Sequence, residues 1–297
     1  WFGSSPFFTL ESGRFALNAE TGLAEPVSSN LPASSPYNPY GRAVPIEYTF
    51  FNLGPTIKTN RSQAYRGLVG VRGSLQNWDW EVGAFGARSS ERETVSGGFA
   101  NRYALAAALA DGSYNLLNPS ATAPDVLNAI NISTLRPAES VLQGVDARIS
   151  GALGHTWAGE IGFAAGAEWR REKLDSNNPW QIDAGLQVRP AIAEVHGQRQ
   201  VSAAYAEVNV PLASTLELSA AARADHYDDF GDAFSPKIGL RWQPLDFLLV
   251  RASASKGFRA PSLSENSNST SIAYGSVVDP RDPDVPGSRQ NPTFFTV

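Results

Sequence analysis

The sequence predicts an all-β fold, an antiparallel transmembrane β-barrel, from two observations. Apolar and polar residues alternate along roughly eight segments of about ten residues each, and short turns alternate with long polar stretches between them. A tilted strand of about ten residues crosses a bilayer, and outer-membrane barrels carry short turns on one rim and long loops on the other. Together the two patterns favour a membrane-spanning wall of strands.

The alternation is clearest in the segment 203–210. Its even-numbered residues are Ala204, Ala206, Val208 and Val210, and its odd-numbered residues are Ala203, Tyr205, Glu207 and Asn209. Successive strand residues point to opposite faces, so one face is apolar and the other is polar. The same pattern holds in the segments 64–75, 79–88, 143–153, 160–170, 216–225, 234–242 and 247–255.

The connections between these segments differ in length in a regular order. Short ones are predicted at 76–78, 154–158, 212–215 and 243–246, and long ones at 89–141, 172–200 and from 257 onward, with a brief exception at 227–233. Aromatic residues accompany the short turns, namely Trp78, Trp80, Trp157, Trp242 and Phe247. Because aromatic side chains concentrate at membrane interfaces, the short turns are predicted to mark one membrane surface.

The remaining segments carry weaker signals. Within the first long connection, 103–110 and 124–130 are predicted to form short helices, the second with a proline near its start. The segment 32–41 is rich in Pro, Asn and Gly and is predicted to be a loop, as is 279–286. The segment 44–53 fits either a further strand or a hairpin arm that rises above the membrane.

A soluble antiparallel β-sandwich would also alternate polar and apolar residues. Two features favour the barrel over the sandwich. The segments exceed the roughly five to six residues that are usual for strands of globular proteins. Many apolar-face positions are alanine, which fills a packed core poorly but is adequate against lipid. No apolar run approaches the roughly 20 residues of a membrane helix.

Composition argues against several functional classes. The chain has no Cys, and His155, His196 and His226 are widely separated, so neither a thiolate site nor a His-based metal site is indicated. The formal net charge is −5 and the basic residues are scattered, which argues against nucleic-acid binding. No Gly-x-Ser-x-Gly motif occurs. We therefore predict no catalytic residue, no metal and no cofactor, and expect that the protein is not an enzyme.

One acidic cluster could be taken for a cation site. It consists of Asp225, Asp228, Asp229 and Asp232. Carboxylate oxygens suit hard cations, but the spacing lacks the Asp-x-Asp-x-Asp-Gly pattern of an EF-hand loop. The favoured interpretation is a solvated hairpin tip.

Residues 234–265 read FSPKIGLRWQPLDFLLVRASASKGFRAPSLSE. This stretch closely resembles the TonB-dependent outer-membrane receptors, in which a PK-x-G-L-R-W hairpin precedes a G-F-R-A-P loop start. Further similar stretches occur in order at 37–41, 166–172, 199–212 and 221–231. The resemblance implies a barrel of about 22 strands with a plugged lumen, of which this chain supplies about a third to two-fifths of the strands.

Parts of the family's pattern have no counterpart here. These are the plug domain and the TonB box, which are N-terminal in the family, and the C-terminal strands. The chain also contains no Met and opens without an export leader. We therefore expect residues 1–297 to be a partial receptor barrel domain within a longer protein.

The resemblance also points to candidate sites. Trp180, Tyr227 and Arg259 are loop candidates for ligand contact. Arg259 belongs to the motif at 257–261, which we interpret first as a rigid strand exit, because a motif shared among receptors for many substrates is a poor selector of one. The charged residues of the polar face are expected to line the lumen, paired inside it or packed on the plug: Arg66, Arg72, Arg148, Glu168, Arg170, Glu207, Arg223, Lys237, Arg241 and Arg251.

The function that the resemblance implies is energy-coupled, TonB-dependent uptake of a scarce nutrient across the outer membrane of a Gram-negative bacterium. The nutrient could be a siderophore, an oligosaccharide or a peptide. The expected partners are this small-molecule or oligomeric ligand, outer-membrane lipid, and the TonB complex through the N-terminal region. The alternative is a passive porin-like channel, and a third possibility is a secreted β-sandwich adhesin.

Overall fold

A computed structural model describes residues 7–11, 14–188, 190, 193–266, 270–273 and 295–296. Six short strands come first: β1 (Thr9–Leu10), β2 (Phe15–Leu17), β3 (Ala24–Pro26), β4 (Asn30–Leu31), β5 (Val44–Pro45) and β6 (Tyr48–Thr49). Eight long strands follow: β7 (Ile57–Leu75), β8 (Trp78–Ser96), β9 (Thr134–Thr156), β10 (Gly159–Ser176), β11 (Ala193–Ala213), β12 (Leu216–Tyr227), β13 (Gly231–Leu245) and β14 (Leu248–Ser255). The two last short strands are β15 (Thr270–Ala273) and β16 (Phe295–Thr296).

Helical segments lie only in the connections of the described chain. The α-helices are α1 (Arg102–Asp111), α2 (Pro124–Ile130), α3 (Trp180–Asp183) and α4 (Leu263–Asn266), and the 3-10 turns are η1 (Phe51–Leu53) and η2 (Pro119–Ala121). The two predicted helices, 103–110 and 124–130, correspond to α1 and α2 and are confirmed. None of the helices in the described ranges has the length and apolar character needed to span a membrane.

The eight long strands form one antiparallel sheet in which each strand pairs with its neighbours in sequence, from β7 to β14. All eight predicted strands are confirmed, and the fold class is an antiparallel transmembrane β-barrel wall that is not closed. The four predicted short turns are also confirmed, as tight connections at 76–77, 157–158, 214–215 and 246–247. Gln76 has a φ of 55°, a backbone conformation that belongs to the type I′ and II′ turns of two-residue hairpins.

The register assigns every strand residue to one of two faces, because directly paired residues of an antiparallel sheet share a face. One row of paired residues runs Arg72, Glu81, Arg148, Gly166, Tyr205 and Arg223. The neighbouring row on the opposite face runs Val71, Val82, Ala147, Ala167, Ala204 and Ala224. We call these the polar face and the apolar face, and all ten charged residues singled out in the sequence lie on the polar face.

The apolar face forms a band between two sets of aromatic residues. On β13 its outermost aromatics are Phe234 and Trp242, which lie about 27 Å apart along the strand at roughly 3.4 Å per residue, or about 21 Å in height at a tilt of about 40°. This is of the order of the roughly 25 Å apolar band of outer-membrane barrels. At the rim of the long connections, the apolar-face residue Asp232 follows Phe234 on β13, and Arg171 follows Trp169 on β10.

The predicted length of about ten residues per strand was wrong for most of the sheet. For example, β9 has 23 residues and β11 has 21. The long connections are therefore 97–133 and 177–192 rather than 89–141 and 172–200. Beyond the apolar band the hairpins continue with polar residues on both faces, held by pairs such as Lys58–Glu93 at 2.5 Å and Arg88–Glu139 at 2.6 Å. Such polar extensions carry no apolar period, so alternation cannot detect them.

The N-terminal segment and the long connections pack together at the rim opposite the tight turns. We call the described residues of 7–56, 97–133 and 177–188 the loop cap. Its core consists of buried apolar side chains: Phe8, Leu10, Leu31, Phe50, Leu53, Ala100, Leu105, Ala108, Leu109, Tyr114, Ile130 and Val188. The segment 44–53, for which a strand or a hairpin arm was considered, is neither, because it breaks into β5, β6 and η1 within this cap. The segment 32–41 consists of turns as predicted, and 279–286 lies outside the described residues.

Polar contacts also hold the loop cap together. The Tyr114 hydroxyl donates to Oδ1 of Asn52 at 2.5 Å, and burial raises the pKa of Tyr114. The side-chain amide of Asn131 donates to the Leu53 carbonyl at 3.1 Å. These bonds join parts of the chain that are more than sixty residues apart, so the cap is a tertiary structure and not a set of independent loops.

The two faces give a first testable prediction. Single cysteines at positions 204, 208, 218, 222 and 250 of the full-length protein are expected to be shielded by lipid, whereas cysteines at 207, 223 and 251 are expected to face the lumen. The absence of native Cys makes labelling with an aqueous maleimide on membranes unambiguous. Equal labelling of both groups would contradict the assignment of the apolar face to lipid.

Candidate functional site

The polar face carries a network of ion pairs near the loop cap. At its centre is Arg170, whose Nη1 lies 2.8 Å from Oε1 of Glu168 and whose Nε lies 2.7 Å from Oε1 of Glu172. Glu172 also contacts Arg199 at 2.7 Å. Arg223 continues the network, at 3.4 Å from Glu168. These residues alternate with apolar-face residues on three adjacent strands, and this alternation brings their charges together.

Each charged residue of this network lies next to a residue of opposite charge. Arg223 reaches Asp225 at 2.8 Å, and the Asp225 side chain is 8% exposed. A charge removed from water is stable only when it is paired and hydrogen-bonded. Glu168, Arg170 and Arg223 are therefore paired with opposite charges on this face, and their position in a lumen stays a prediction.

The other charges of the polar face differ in their partners. Arg148 is paired with Glu81 at 2.5 Å. Arg241 donates to Oε1 of Gln243 at 2.9 Å and lies directly opposite Arg251. Within the described ranges, six of the predicted residues form no ion pair: Arg66, Arg72, Glu207, Lys237, Arg241 and Arg251. The polar face thus has a connected ion-pair network near the loop cap, one separate pair between Arg148 and Glu81, and six charges without an ion pair.

Residues 256–266, which we call the strap, leave β14 and fold back over the polar face. The Lys256 amide donates to the Pro236 carbonyl at 3.0 Å. Nη1 of Arg199 donates to the Pro261 carbonyl at 2.7 Å, and the Phe258 ring lies 6.0 Å from that of Tyr227. The motif at 257–261 therefore acts here as a strand exit that is fixed to the neighbouring strands.

The end of the strap is held by its own turn. The backbone N–H and the hydroxyl of Ser262, together with the Arg259 guanidinium, lower the pKa of the Glu265 carboxyl to about 2. The side-chain amide of Asn266 then donates to the Asp229 carbonyl at 3.0 Å. These contacts join the strap to the β12–β13 hairpin.

The three loop candidates for ligand contact are placed very differently. Tyr227 is only 7% exposed, because it packs against Phe258 and lies under the Arg199 guanidinium at 5.4 Å. It therefore supports the strap in this structure. The Arg259 side chain is 78% exposed and pairs with Glu265 at 2.9 Å. Trp180, at the start of α3, is 67% exposed. Of the three, Trp180 and Arg259 present accessible side chains.

The loop cap also contains a cleft that sequence reasoning missed. Its volume is about 500 Å³, and it lies between α1 and the segment 25–32. Arg102 forms an ion pair with Glu25 there, and its guanidinium lies 4.5 Å from the centroid of the exposed Tyr103 ring. Hydrogen bonds from Asn18 and Arg102 lower the pKa of Glu25. Glu25 and Arg102 are far apart in sequence, so no local sequence motif indicates that they are in contact.

The acidic cluster does not assemble into a cation site. Asp225 is paired with Arg223, Oδ1 of Asp228 accepts a bond from the backbone N–H of Gln200 at 2.8 Å, and Asp232 lies 2.6 Å from Nδ1 of His226. Across the described part of the chain, no group of three or more His, Cys, Asp or Glu residues could hold a metal ion.

An open antiparallel wall with one apolar and one charged face, and with packed loops at one rim, defines the class of protein as a transmembrane β-barrel. The family described as "TonB dependent receptor-like, beta-barrel" matches residues 13–294. The chain belongs to this family of TonB-dependent receptors and transporters, which are outer-membrane β-barrels of Gram-negative bacteria and not enzymes.

The chain is also similar to individual proteins, and it spans less than two thirds of the length of each. The chain is 30% identical over 104 residues to the ferric enterobactin receptor of Pseudomonas aeruginosa, and this match covers 33% of the chain and 14% of the receptor. The RagAB peptide transporter is similar over 78% of the chain and 26% of its own, with 9% identity and a TM-score of 0.49. A mutant of the P. aeruginosa receptor is similar over 73% of the chain and 36% of its own, with 14% identity and a TM-score of 0.37.

Proposed function

We propose that this chain forms part of the wall and the extracellular loops of a receptor that takes up a scarce nutrient across the outer membrane of a Gram-negative bacterium, with energy from the TonB complex. One observation carries the proposal. The long connections at one rim pack into the loop cap, which has its own core and an open cleft. Rigidly positioned loops are where binding residues concentrate, and a passive channel has no need of a structured ligand-capturing cap.

The parts of the molecule have separate roles in this proposal. The loop cap captures the ligand, with the cleft beside Arg102 and the exposed Trp180 as contact surfaces. The polar face lines the lumen, and its uncompensated charges, Arg72 and Arg251 among them, meet the plug. In the full-length protein the plug carries the contact to TonB and opens when TonB pulls on it. The ligand class, whether siderophore, oligosaccharide or peptide, follows from the chemistry of the cap and is identified by the uptake assay below.

Replacement of Trp180 by alanine gives a second prediction. The substitution removes an exposed aromatic surface from the loop cap, and we expect it to weaken ligand binding by about tenfold, the usual effect of losing a stacking contact of about 1–1.5 kcal/mol. Trp157→Ala is the matched control, because Trp157 is 82% exposed on the opposite rim. Equal uptake by both variants would show that Trp180 does not contact the ligand.

The measurement is uptake by cells that express the full-length receptor. Radiolabelled ferric siderophores, oligosaccharides and peptides are supplied one class at a time, to cells with and without a functional TonB complex. Saturable uptake that disappears without TonB is expected for one class. Non-saturable uptake that is indifferent to TonB would contradict energy coupling and establish the passive porin-like channel.

A further inference from the structure

The outer parts of β7 and β8 carry arginines on the apolar face, just beyond the apolar band. On β7, Tyr65 is followed on this face by Gln63 and Arg61, and their direct partners on β8 are Arg88, Ser90 and Arg92. Arg61 lies about 13 Å along the strand from Tyr65, or about 10 Å in height at a tilt of about 40°. Lipid headgroups occupy about 5–8 Å beyond the hydrocarbon core, and a long arginine side chain can bend back toward them.

Arg61 and Arg92 are direct cross-strand partners. Side chains in this relation have Cβ atoms about 4.5–5.5 Å apart, and like charges placed so are destabilising. The neighbour of Arg92 on the other side is Pro137, which supplies no charge. Within the described ranges, no carboxylate pairs with either guanidinium. Two cations are therefore held together without a compensating group from the protein.

The other cations near this pair are compensated. On the apolar face, Arg88 contacts Glu139 at 2.6 Å and Lys173 contacts Asp175 at 2.5 Å. On the polar face of the same hairpin, Lys58 contacts Glu93 at 2.5 Å. The lack of an ion pair thus distinguishes Arg61 and Arg92 from these three neighbouring cations.

The two arginines line a groove of about 630 Å³ that crosses β7 to β11. Arg88, Lys173 and His196 line it as well, and its carboxylates include Glu139 and Asp175, both already engaged by cations. Glu91 also borders the groove, but its position in the strand places it on the polar face. The groove therefore offers free positive charge at Arg61 and Arg92 and a concave surface beside it.

We propose that Arg61 and Arg92 bind the phosphate of an anionic lipid headgroup at the surface of the outer membrane. The inference rests on the proposed membrane insertion. Guanidinium groups bind phosphate oxygens through paired N–H donors, and two opposed guanidiniums can hold one phosphate between them. The acyl chains of the same lipid would lie along the apolar face, against Tyr65 and Val69. A free phosphate ion satisfies the same guanidiniums but gains nothing from this apolar contact.

The test titrates the purified full-length receptor, in a neutral detergent, with three probes. These are short-chain phosphatidic acid, short-chain phosphatidylcholine and inorganic phosphate. The Arg61→Gln/Arg92→Gln variant is expected to bind phosphatidic acid at least about tenfold more weakly than the wild type, because both charge-assisted contacts are lost. Arg61→Lys/Arg92→Lys keeps the charge but loses the paired donors, and an intermediate affinity is expected.

The matched control is Arg42→Gln/Lys58→Gln, which also removes two positive charges, but at positions that do not line the groove. It is expected to bind phosphatidic acid as the wild type does. Equal affinity of the Gln variant and the wild type would overturn the site. Equal affinity of the wild type for inorganic phosphate and phosphatidic acid would overturn the lipid as its occupant, and equal affinity for phosphatidylcholine would overturn recognition of an anionic headgroup.

Assembly and ligand uptake are measured on the same variants. Lost phosphatidic acid binding with normal uptake supports a site that is separate from transport. If the Gln variant fails to assemble, the Lys variant decides, and an unchanged affinity in that variant overturns the proposal. Failure of the wild type itself to insert into membranes would defeat the proposed function, and this outcome is distinct from wild-type insertion without phosphatidic acid binding.

Discussion

Arginine in place of Ala222 is expected to destabilise the membrane-inserted full-length barrel by about 2–4 kcal/mol. Ala222 lies on the apolar face, directly between Ala206 and Pro236 of the neighbouring strands. It is near the middle of the apolar stretch of β12, where a guanidinium cannot reach either membrane surface easily. Val208→Arg, on the adjacent strand, is expected to behave in the same way. The measurement is denaturant unfolding from vesicles, together with the heat-modifiable fraction on gels.

Ala221→Arg is the matched control for this prediction. Ala221 precedes Ala222 on the same strand but lies on the polar face, directly opposite Glu207 and Lys237. The new guanidinium would have a carboxylate on one side and would meet no lipid, so we expect a change of no more than about 1 kcal/mol. Equal destabilisation by arginine at 221 and at 222 would show that the two faces have the same surroundings. The assignment of one face to lipid, and with it the barrel, would then fail.

The strands and their faces could be predicted because their physical cause is local. Burial of one face in lipid imposes a period of two on each strand, and this period is visible in residues such as those of 203–210. The turns could be predicted for the same reason, since each one interrupts the alternation. Within each hairpin that has a tight turn, the turn leaves little freedom in the pairing. Between β8 and β9 and between β10 and β11 the apolar face limits the register, because a slip of one residue would move every side chain to the other face.

The loop cap could not be predicted, because its contacts join distant parts of the chain. Phe50 and Tyr114 pack ring to ring at 4.9 Å, and neither residue belongs to a periodic segment. The extended hairpins were missed for another reason. Their stability comes from cross-strand pairs such as Arg88–Glu139, and a pair across two strands leaves no mark in the sequence of either strand.

Alternation placed the charges of the polar face on one side of the sheet, and the register agrees with that face, while their role in lining a lumen stays a prediction. The choice among aromatic loop residues had no comparable basis. In the sequence, Tyr227 and Trp180 both lie in or next to predicted loops. The fold shows that the strap covers Tyr227, whereas Trp180 is exposed. Burial by a segment thirty residues away depends on the path of the strap, which local sequence does not encode.

Methionine in place of Arg170 is expected to destabilise the full-length barrel by about 2–3 kcal/mol. Methionine keeps much of the length of the side chain but leaves Glu168 and Glu172 without the cation that lies between them at 2.8 and 2.7 Å. Removing one partner of a fully buried pair costs roughly 3–5 kcal/mol. The effect here is smaller because the Arg170 and Glu168 side chains keep 20% and 26% exposure, so that water screens part of the repulsion.

Arg171→Met is the matched control, because Arg171 is exposed on the opposite face and donates one bond, to Gln198 at 3.1 Å. A change within about 0.5 kcal/mol is expected there. Denaturant unfolding of both variants in vesicles gives the comparison, and equal effects at 170 and 171 would show that the ion-pair network of the polar face contributes no more than a surface contact.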